Sequence, residues 1–281
     1  MIKLNPYPIQ YVTLINDFIC YDADYADDKV IIFINNDPIT ASSNLQIHLN
    51  YLSEWYDKWR VKINQNKSVH TTFTLKQSIG PNITLKNVQI PTSDTVKYLG
   101  LILDKRLTWN KHLRTKRITL NNHMRMLRPL LIRNKFSTLN TKLLIYKSLL
   151  KPIWTYGLQL WGAAKKSNTD KIQTFQNISL RRLSNAPSYI SNLTLHNDLH
   201  MRTIVEEARI FYTRFHKRLQ THPVQYIYTE NPDNNHSSTS SGYIGIERAV
   251  RVRVPDRIYA FYLRSSVNLH SSFDYVKSRR P

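Results

Sequence analysis

Two short apolar runs, separated by a cluster of acids, give the first clear pattern along the chain. Residues 18–22 and 29–34 are rich in Ile, Val, Phe and Tyr, which favours two strands. The connecting segment DADYADD ends in adjacent carboxylates, Asp27 and Asp28. Two neighbouring acids are costly to bury without a compensating charge. The pattern therefore predicts a hairpin whose acidic tip is either solvated or bound to a cation.

The spacing of the acids excludes one common cation site. An EF-hand loop that began at Asp22 would place Asp27 where the loop needs Gly and Phe33 where it needs Glu. A solvent-exposed turn and a Mg²⁺ site for phosphoryl or nucleotidyl transfer both remain open. Strand alternation leads us to expect Asp22 and Asp24 on the same face as Asp28.

The next segment alternates between helical and extended patterns. The apolar positions Leu45, Leu49, Leu52, Tyr56 and Trp59 follow helical spacing, and Pro38 can occupy the first turn of this helix. Extended patterns return in VHTTFTL, ITLKNVQI and TVKYLGLILD. Residues 18–104 therefore predict a small sheet with one helix.

From Thr108 onward the pattern is helical. We expect Thr108 to cap a helix that ends or bends at Pro129, and Ser137 or Thr138 to open the next one. Two further helices are predicted, one capped near Thr169 and one at about residues 200–220. The first helix has the apolar stripe Leu113, Leu120, Met124, Leu127 and Leu131, and Trp55, Trp59, Trp154 and Trp161 are expected in the core.

These patterns predict an α+β fold, in which a short antiparallel sheet with a helix precedes a mainly α-helical region. The expected boundaries are 1–104 for the sheet domain, 105–222 for the helical domain, 223–242 for a polar linker and 243–281 for an extension without a motif.

Charge adds a functional expectation. The chain has 40 Lys and Arg against 19 Asp and Glu, a net charge of +21, and residues 105–169 contain no acid. Solvated helix faces usually mix both signs, so this excess predicts a nucleic-acid partner. The candidate contact residues are Lys111, Arg114, Lys116, Arg117, Arg125 and Arg128.

The same composition argues against other classes of protein. No apolar run reaches the length of a membrane span, and the first residues lack a secretory pattern, so no membrane partner is expected. A single cysteine, Cys20, fits a reducing intracellular compartment, either nucleus or cytoplasm.

The motif YADD between two strands resembles the metal-binding hairpin of reverse transcriptases. It is followed in order by HLNYLSEWYDKWRVKINQNKS, VKYLGLILDKRLTW, SLLKPIWTYGLQLWGAAKKSN, IQTFQNISLRRLSNAP and TLHNDL. Over about residues 20–220, this ordered series is similar to the carboxy-terminal half of jockey-like non-LTR retrotransposon polymerases.

The resemblance implies a partial reverse-transcriptase palm followed by a thumb-like helical region. It implies RNA-directed DNA synthesis by two-metal nucleotidyl transfer, with Mg²⁺ or alternatively Mn²⁺, an RNA template, a DNA primer and deoxynucleoside triphosphates. Asp27 and Asp28 would hold metal, and Lys67 would donate a proton to pyrophosphate from a turn shaped by Asn64. Tyr25 would lie beneath the primer terminus or nucleotide, and Tyr98, Leu99 and Gly100 would form the primer grip.

Two departures limit what the resemblance implies. The upstream motif that carries another metal-binding aspartate is not found in these residues, so we expect this chain alone not to polymerise. Lys29 stands where the family has a small hydroxyl residue, and a cation there is expected to compete with metal. The alternative interpretation is a basic, non-catalytic nucleic-acid-binding remnant of such an element.

Overall fold

The computed structural model describes residues 9–15, 18–25, 28–35, 37–75, 80–133, 137–220 and 257–264. The chain divides into two compact units. Unit 1 comprises residues 1–107 and 253–281, and unit 2 comprises residues 108–252.

The main element of unit 1 is a five-stranded antiparallel sheet with one helix against it. The strands of the sheet are β1 (Ile9–Ile15), β2 (Phe18–Tyr25), β3 (Asp28–Ile34), β4 (Val69–Thr74) and β9 (Arg257–Arg264), in the order β1-β2-β3-β9-β4. Two small hairpins accompany it, one of β5 (Thr84–Leu85) with β6 (Val88–Gln89) and one of β7 (Thr95–Tyr98) with β8 (Leu101–Asp104).

Helix α1 (Pro38–Lys58) connects β3 to β4. Asp37 caps it, because its carboxylate accepts a hydrogen bond from the Thr40 amide at 2.9 Å. Since β3 and β4 both run antiparallel to β9, they run parallel to each other with one strand between them. The arrangement is a split βαβ unit, in which a strand from the far end of the sequence fills the gap.

Strand β3 separates two apolar cores. Ile31 and Phe33 pack in one core with Leu45, Leu49, Tyr56 and Ile63, which come from α1 and the segment after it. Val30 packs on the other side with Phe73, Val96 and Tyr98. The period-2 alternation of a strand explains why neighbouring residues of β3 serve different cores.

Unit 2 is helical in its described part. Its helices are α2 (Asn110–Met126), α3 (Leu139–Ile145), α4 (Lys151–Thr155), α5 (Leu158–Trp161), α6 (Lys166–Ser184), α7 (Asn192–Asp198) and α8 (Ile204–Gln220), with π-helical turns at Pro129–Arg133 and Tyr146–Leu150. Trp154 and Trp161 are fully buried. The Trp154 indole donates to the Tyr146 hydroxyl at 3.3 Å, which satisfies a polar group inside the core.

The mixture of helices and short antiparallel strands is compatible with the predicted α+β class. Thr138 caps α3 as predicted, accepting a hydrogen bond from the Thr141 amide. Thr108 does not cap α2, because Trp109 takes the cap position in a left-handed conformation. Helix α6 starts at Lys166, before the expected cap at Thr169. Strands β1 and β9 were not predicted, and the polar segment 230–242 lies outside the described residues.

The tryptophan expectation is half correct. Trp154 and Trp161 are core residues, whereas Trp55 and Trp59 are 50% and 62% exposed. Trp55 lies on the side of α1 away from the sheet, and Trp59 follows the last turn, so their rings pack on each other at 6.0 Å between centroids.

Among the helices in the described ranges, none has both the length and the hydrophobicity needed to cross a membrane.

Two buried histidines predict acid sensitivity. Burial lowers the pKa of His70 in unit 1 to about 4. Burial, with a smaller contribution from the Lys116 charge, lowers the pKa of His112 in unit 2 to about 4. A folded pKa below the ordinary 6.5 means that the unfolded chain binds more protons, so stability is complete above pH 6.5 and declines as pH falls towards 4.

We expect the thermal midpoint to decrease as the pH is lowered from 7 to 4.5. Each histidine should reduce the free energy of unfolding by up to about 3 kcal/mol over this range. His70→Gln should flatten this pH dependence even where it lowers the midpoint at pH 7, and the exposed His200→Gln is the matched control. Calorimetry across this range checks the effect, and identical pH profiles for His70→Gln and the parent chain would contradict it.

Candidate active-site edge and nucleic-acid interface

The YADD motif lies where β2 meets β3. Tyr25, the last residue of β2, pairs with Asp28, the first residue of β3. Tyr25 is 52% exposed and Asp28 is half-buried. Asp27 lies outside the described residues, so the structure positions one of the two candidate metal ligands and the tyrosine beside it.

The register of the hairpin corrects the expectation for the upstream acids. Asp24 pairs with Lys29 and Asp22 pairs with Ile31. Cross-strand partners belong to the same face of a sheet, so these two acidic positions belong to the face opposite that of Asp28. The expectation was wrong because two residues separate Tyr25 from Asp28, which pairs even positions of β2 with odd positions of β3.

Lys29 also belongs to the face opposite that of Asp28. It is only 9% exposed and alternates with Asp28 along β3, on the side of Ile31 and Phe33. A buried cation on the α1 side is not placed to compete for a metal held by Asp28. The strand pleat therefore argues against the competition that the sequence suggested.

The proposed primer-grip residues form a tight hairpin turn. Tyr98 pairs with Leu101, and the two residues between them, Leu99 and Gly100, have φ values of 43° and 78°. Positive φ at both central residues is typical of a type I′ turn, which leucine rarely occupies. Tyr98 packs against the cluster that contains Val30, on the Asp28 face of β3. The structure thus brings this hairpin to the same face of the sheet as Asp28.

Lys67 lies at the same end of the sheet. It ends a 3₁₀ turn, Gln65–Lys67, and its amide donates to the Asn64 side chain at 3.2 Å, so Asn64 shapes this turn as expected. Val30 and Val69 both pair with Tyr262, which places them two strand spacings, about 10 Å, apart.

Asp28 precedes Val30 by two residues, and Lys67 precedes Val69 by two residues. Both therefore lie at the end of the sheet where β3 and β4 begin, which we call the candidate active-site edge or Asp28 edge. The Lys67 side chain is exposed there. A carboxylate and an ammonium group about two strands apart can act on different oxygens of one phosphate chain.

The donor chemistry at this edge suits a hard cation. Mg²⁺ is commonly held by one or two carboxylates together with water and substrate phosphates, which matches the adjacent acids Asp27 and Asp28. Among the residues that the structure describes, no group of three or more His, Cys, Asp and Glu side chains could hold a metal.

In unit 2, one face of α2 carries most of the predicted basic contacts. Its members recur every three or four residues, which places them on a single helical face. They are Lys111, Arg114, Arg117, Arg125 and, just past the helix end, Arg128, and the uncharged Asn121 lies on the same face. The adjoining face packs into the core through Leu113 and Leu120.

Lys116 differs from the other five candidates. It is 7% exposed, and its ammonium donates to the carbonyls of Ile153 and Tyr156 at 3.0 and 2.9 Å. The ammonium also lies 5.6 Å from the centre of the Trp161 ring, and burial lowers its pKa to about 8. These contacts use the charge inside the unit and argue against a phosphate contact by Lys116.

The basic face of α2 borders a groove of about 500 Å³ against α6. Four arginines line it, Arg117, Arg125, Arg128 and Arg182, together with Asn121, Ser179, Asn185 and an apolar floor of Met124, Ile132, Phe175 and Ile178. Among the residues that the structure describes, no acid lines it. Sequence reasoning missed Arg182 and Asn185, because the packing of α6 on α2 brings them there and no local pattern marks it.

Arg117 is the most enclosed of these arginines. It donates to the Lys171 carbonyl at 2.9 Å, and its guanidinium lies 5.2 Å from the centre of the Phe175 ring. Burial and, second, the charge of Arg182 lower its pKa. Since like charges face each other without a counter-charge in the lining, a bound anion would relieve their repulsion.

Comparison with curated proteins identifies relatives for most of the chain. It is 37% identical over 202 residues to the probable RNA-directed DNA polymerase from transposon BS of Drosophila melanogaster. It is 36% identical over 203 residues to the corresponding protein from transposon X-element, and 33% identical over 202 residues to the RNA-directed DNA polymerase from mobile element jockey, both from the same species.

These alignments cover 71–72% of this chain, and the chain spans 22% of each relative's length. No family model matches the chain, and no solved structure matches it. The level of identity nevertheless confirms the resemblance based on the ordered motifs. Over most of its length the chain is therefore a homologue of jockey-like and related non-LTR retrotransposon RNA-directed DNA polymerases.

Proposed function

We propose that this chain supplies part of the machinery for RNA-directed DNA synthesis, with unit 1 as a partial palm and unit 2 as a thumb-like region. One observation carries the proposal. Asp28, the Tyr98–Gly100 turn and Lys67 come from three separate sequence motifs, yet they converge on one sheet. The turn packs on the face that carries Asp28, and Lys67 lies at the same end of the sheet as Asp28. A nucleotidyl-transfer site needs such a convergence of groups.

The reaction joins a primer 3′-hydroxyl oxygen to the α-phosphorus of a deoxynucleoside triphosphate and releases pyrophosphate. A bound Mg²⁺ or Mn²⁺ pair would supply charge stabilisation to the attacking and leaving oxygens. Asp27 and Asp28 would hold metal, while the exposed Tyr25 would support the primer terminus or the nucleotide. Lys67 would donate its proton to the departing pyrophosphate, and the Tyr98–Gly100 turn would steady the primer.

A complete two-metal site takes carboxylates from more than one place in a chain. The hairpin supplies adjacent acids from only one place, so the chain by itself would hold an incomplete site. We therefore expect little or no synthesis without the further carboxylate that the resemblance implies.

The arginine groove suits the other requirement of a polymerase, which is to hold a duplex in any sequence. Contacts to phosphates position a nucleic acid without reading its bases. Guanidinium groups bind phosphate oxygens in pairs. The described lining contains no acid, so the exposed Arg125, Arg128 and Arg182 are available to one phosphate backbone, while Arg117 also donates to the Lys171 carbonyl. The proposed ligand is the hybrid of template RNA and primer DNA, inside the cell in the nucleus or cytoplasm.

A second function is favoured by the same groove. It lies wholly within unit 2 and requires no metal, so unit 2 could bind nucleic acid in a chain that has no catalysis. The two functions differ in whether metal-dependent primer extension accompanies binding.

The groove predicts a specific salt dependence. Arg125→Ala with Arg128→Ala should weaken binding of an RNA–DNA hybrid and reduce the slope of log affinity against log salt by about 2, because two phosphate contacts are lost. Arg209→Ala with Arg214→Ala removes the same charge from exposed positions of α8 and serves as the control. Fluorescence anisotropy at several salt concentrations measures both, and equal slopes for the two double variants would count against the groove.

The sheet edge predicts the outcome of primer extension on an RNA template with Mg²⁺. If the chain extends a primer, Asp27→Asn should abolish extension, and Lys67→Ala should slow single-turnover extension about 100-fold with hybrid affinity unchanged, as expected for loss of a general acid. Extension that survives Asp27→Asn would overturn the assignment of the hairpin. Absence of any extension is expected of an incomplete site as well as of the non-catalytic function, and binding of Mn²⁺ at Asp27 and Asp28 then separates the two.

The strained turn predicts a separation of stability from function. Asn tolerates positive φ better than Leu, so Leu99→Asn should keep or raise the melting temperature while weakening retention of the primer end. Thermal unfolding and primer-end footprinting test the two effects. A lower melting temperature with unchanged footprinting would show that Leu99 is kept for packing alone.

A further inference from the structure

The gap between β3 and β4 has the form of a strand-acceptor site. The two strands run parallel, are joined through α1 and are one strand spacing too far apart to pair with each other. Within the described part of unit 1, β9 pairs with the facing edges of both. An unpaired strand edge presents a row of backbone donors and acceptors that a further strand can satisfy.

The occupant fits the gap along nearly its whole length. The β3 ladder has seven residue pairs, from Asp28 with Arg264 to Ile34 with Ile258. The β4 ladder has six, from Val69 with Tyr262 to Thr74 with Arg257. Affinity in such a site comes from main-chain hydrogen bonds on both sides of the added strand, whether that strand belongs to the same chain or to a separate peptide.

The origin of β9 in the sequence distinguishes it from the other strands of the sheet. The other four lie within residues 9–74, whereas β9 follows all the described helices of unit 2 and comes after residues 221–256. The other four strands are linked to one another by short segments and by α1. β9 is distant from them in the sequence, so it can join the sheet or leave it as a separate segment.

We propose that the gap between β3 and β4 is a strand-acceptor site, that residues 257–264 of the same chain occupy it, and that this occupant is replaceable by a separate peptide of the same sequence. Occupancy sets the spacing of the candidate active-site edge, because Val30 and Val69 both pair with Tyr262. The carboxy-terminal segment, for which the sequence offered no motif, thereby gains a defined task. The inference concerns assembly of unit 1 and does not depend on polymerase activity.

Hydrogen exchange on the full chain tests this directly. Ala260 pairs with both Ile32 and Thr71, so Ala260→Pro should disrupt the strand at its centre. Amides of β3 and β4 should exchange at least tenfold faster in this variant, while those of α6 in unit 2 stay unchanged as an internal control. Ser240→Pro, outside β9, should leave all of these rates at parent values.

Peptide rescue then separates docking from general damage. A synthetic peptide of residues 255–266, added to the Ala260→Pro chain, should restore protection of β3 and β4, and the same peptide with the proline should not. Unchanged exchange in Ala260→Pro, or no rescue by the parent peptide, would overturn the acceptor site. Protection in the parent chain that disappears on dilution, together with a dimer at high concentration, would overturn occupancy by the same chain and assign the strand to a second copy.

Discussion

Strand β3 is held on both edges and both faces, and the arrangement of unit 1 depends on this. β2 and β9 pair with its edges, one apolar core packs Ile31 and Phe33, and another packs Val30. Because side chains alternate along a strand, a shift of one residue would exchange the two cores and move Asp28 to the wrong face. Burial on both faces therefore fixes the register, and with it the position of Asp28, the first residue of β3.

Unit 2 separates its charges in the same physical way. On α2, the buried Lys116 ammonium donates hydrogen bonds to two backbone carbonyls inside the unit, while the arginines of the neighbouring face line the groove. A charge buried in the core is costly unless it is paired, whereas a charge at a solvent-accessible groove needs no protein partner and can bind a ligand. Basic residues a few positions apart on one helix thus take a structural role or the proposed binding role according to the face they occupy.

Local chemistry allowed much of this to be predicted, and non-local packing explains the rest. The YADD hairpin, the helical spacing of α1 and the Thr138 cap are short-range features that sequence patterns indicate directly. Trp55 was misplaced because both sides of α1 carry apolar residues, and only the sheet decides which side is covered. β9 and Arg182 could not be foreseen, since strand pairing across the whole chain and the packing of α6 on α2 leave no local signal.

The central claim is that the edge bearing Asp28 and Lys67 binds a divalent cation next to a nucleic-acid end. Paramagnetic broadening of backbone amide signals by Mn²⁺ measures this most directly and does not require turnover. We predict that amides at residues 28 and 67 broaden first, that the amide of Ile34, at the other end of β3, broadens least, and that Asp27→Asn with Asp28→Asn removes the effect. Broadening centred elsewhere, or unchanged by these two substitutions, would contradict it.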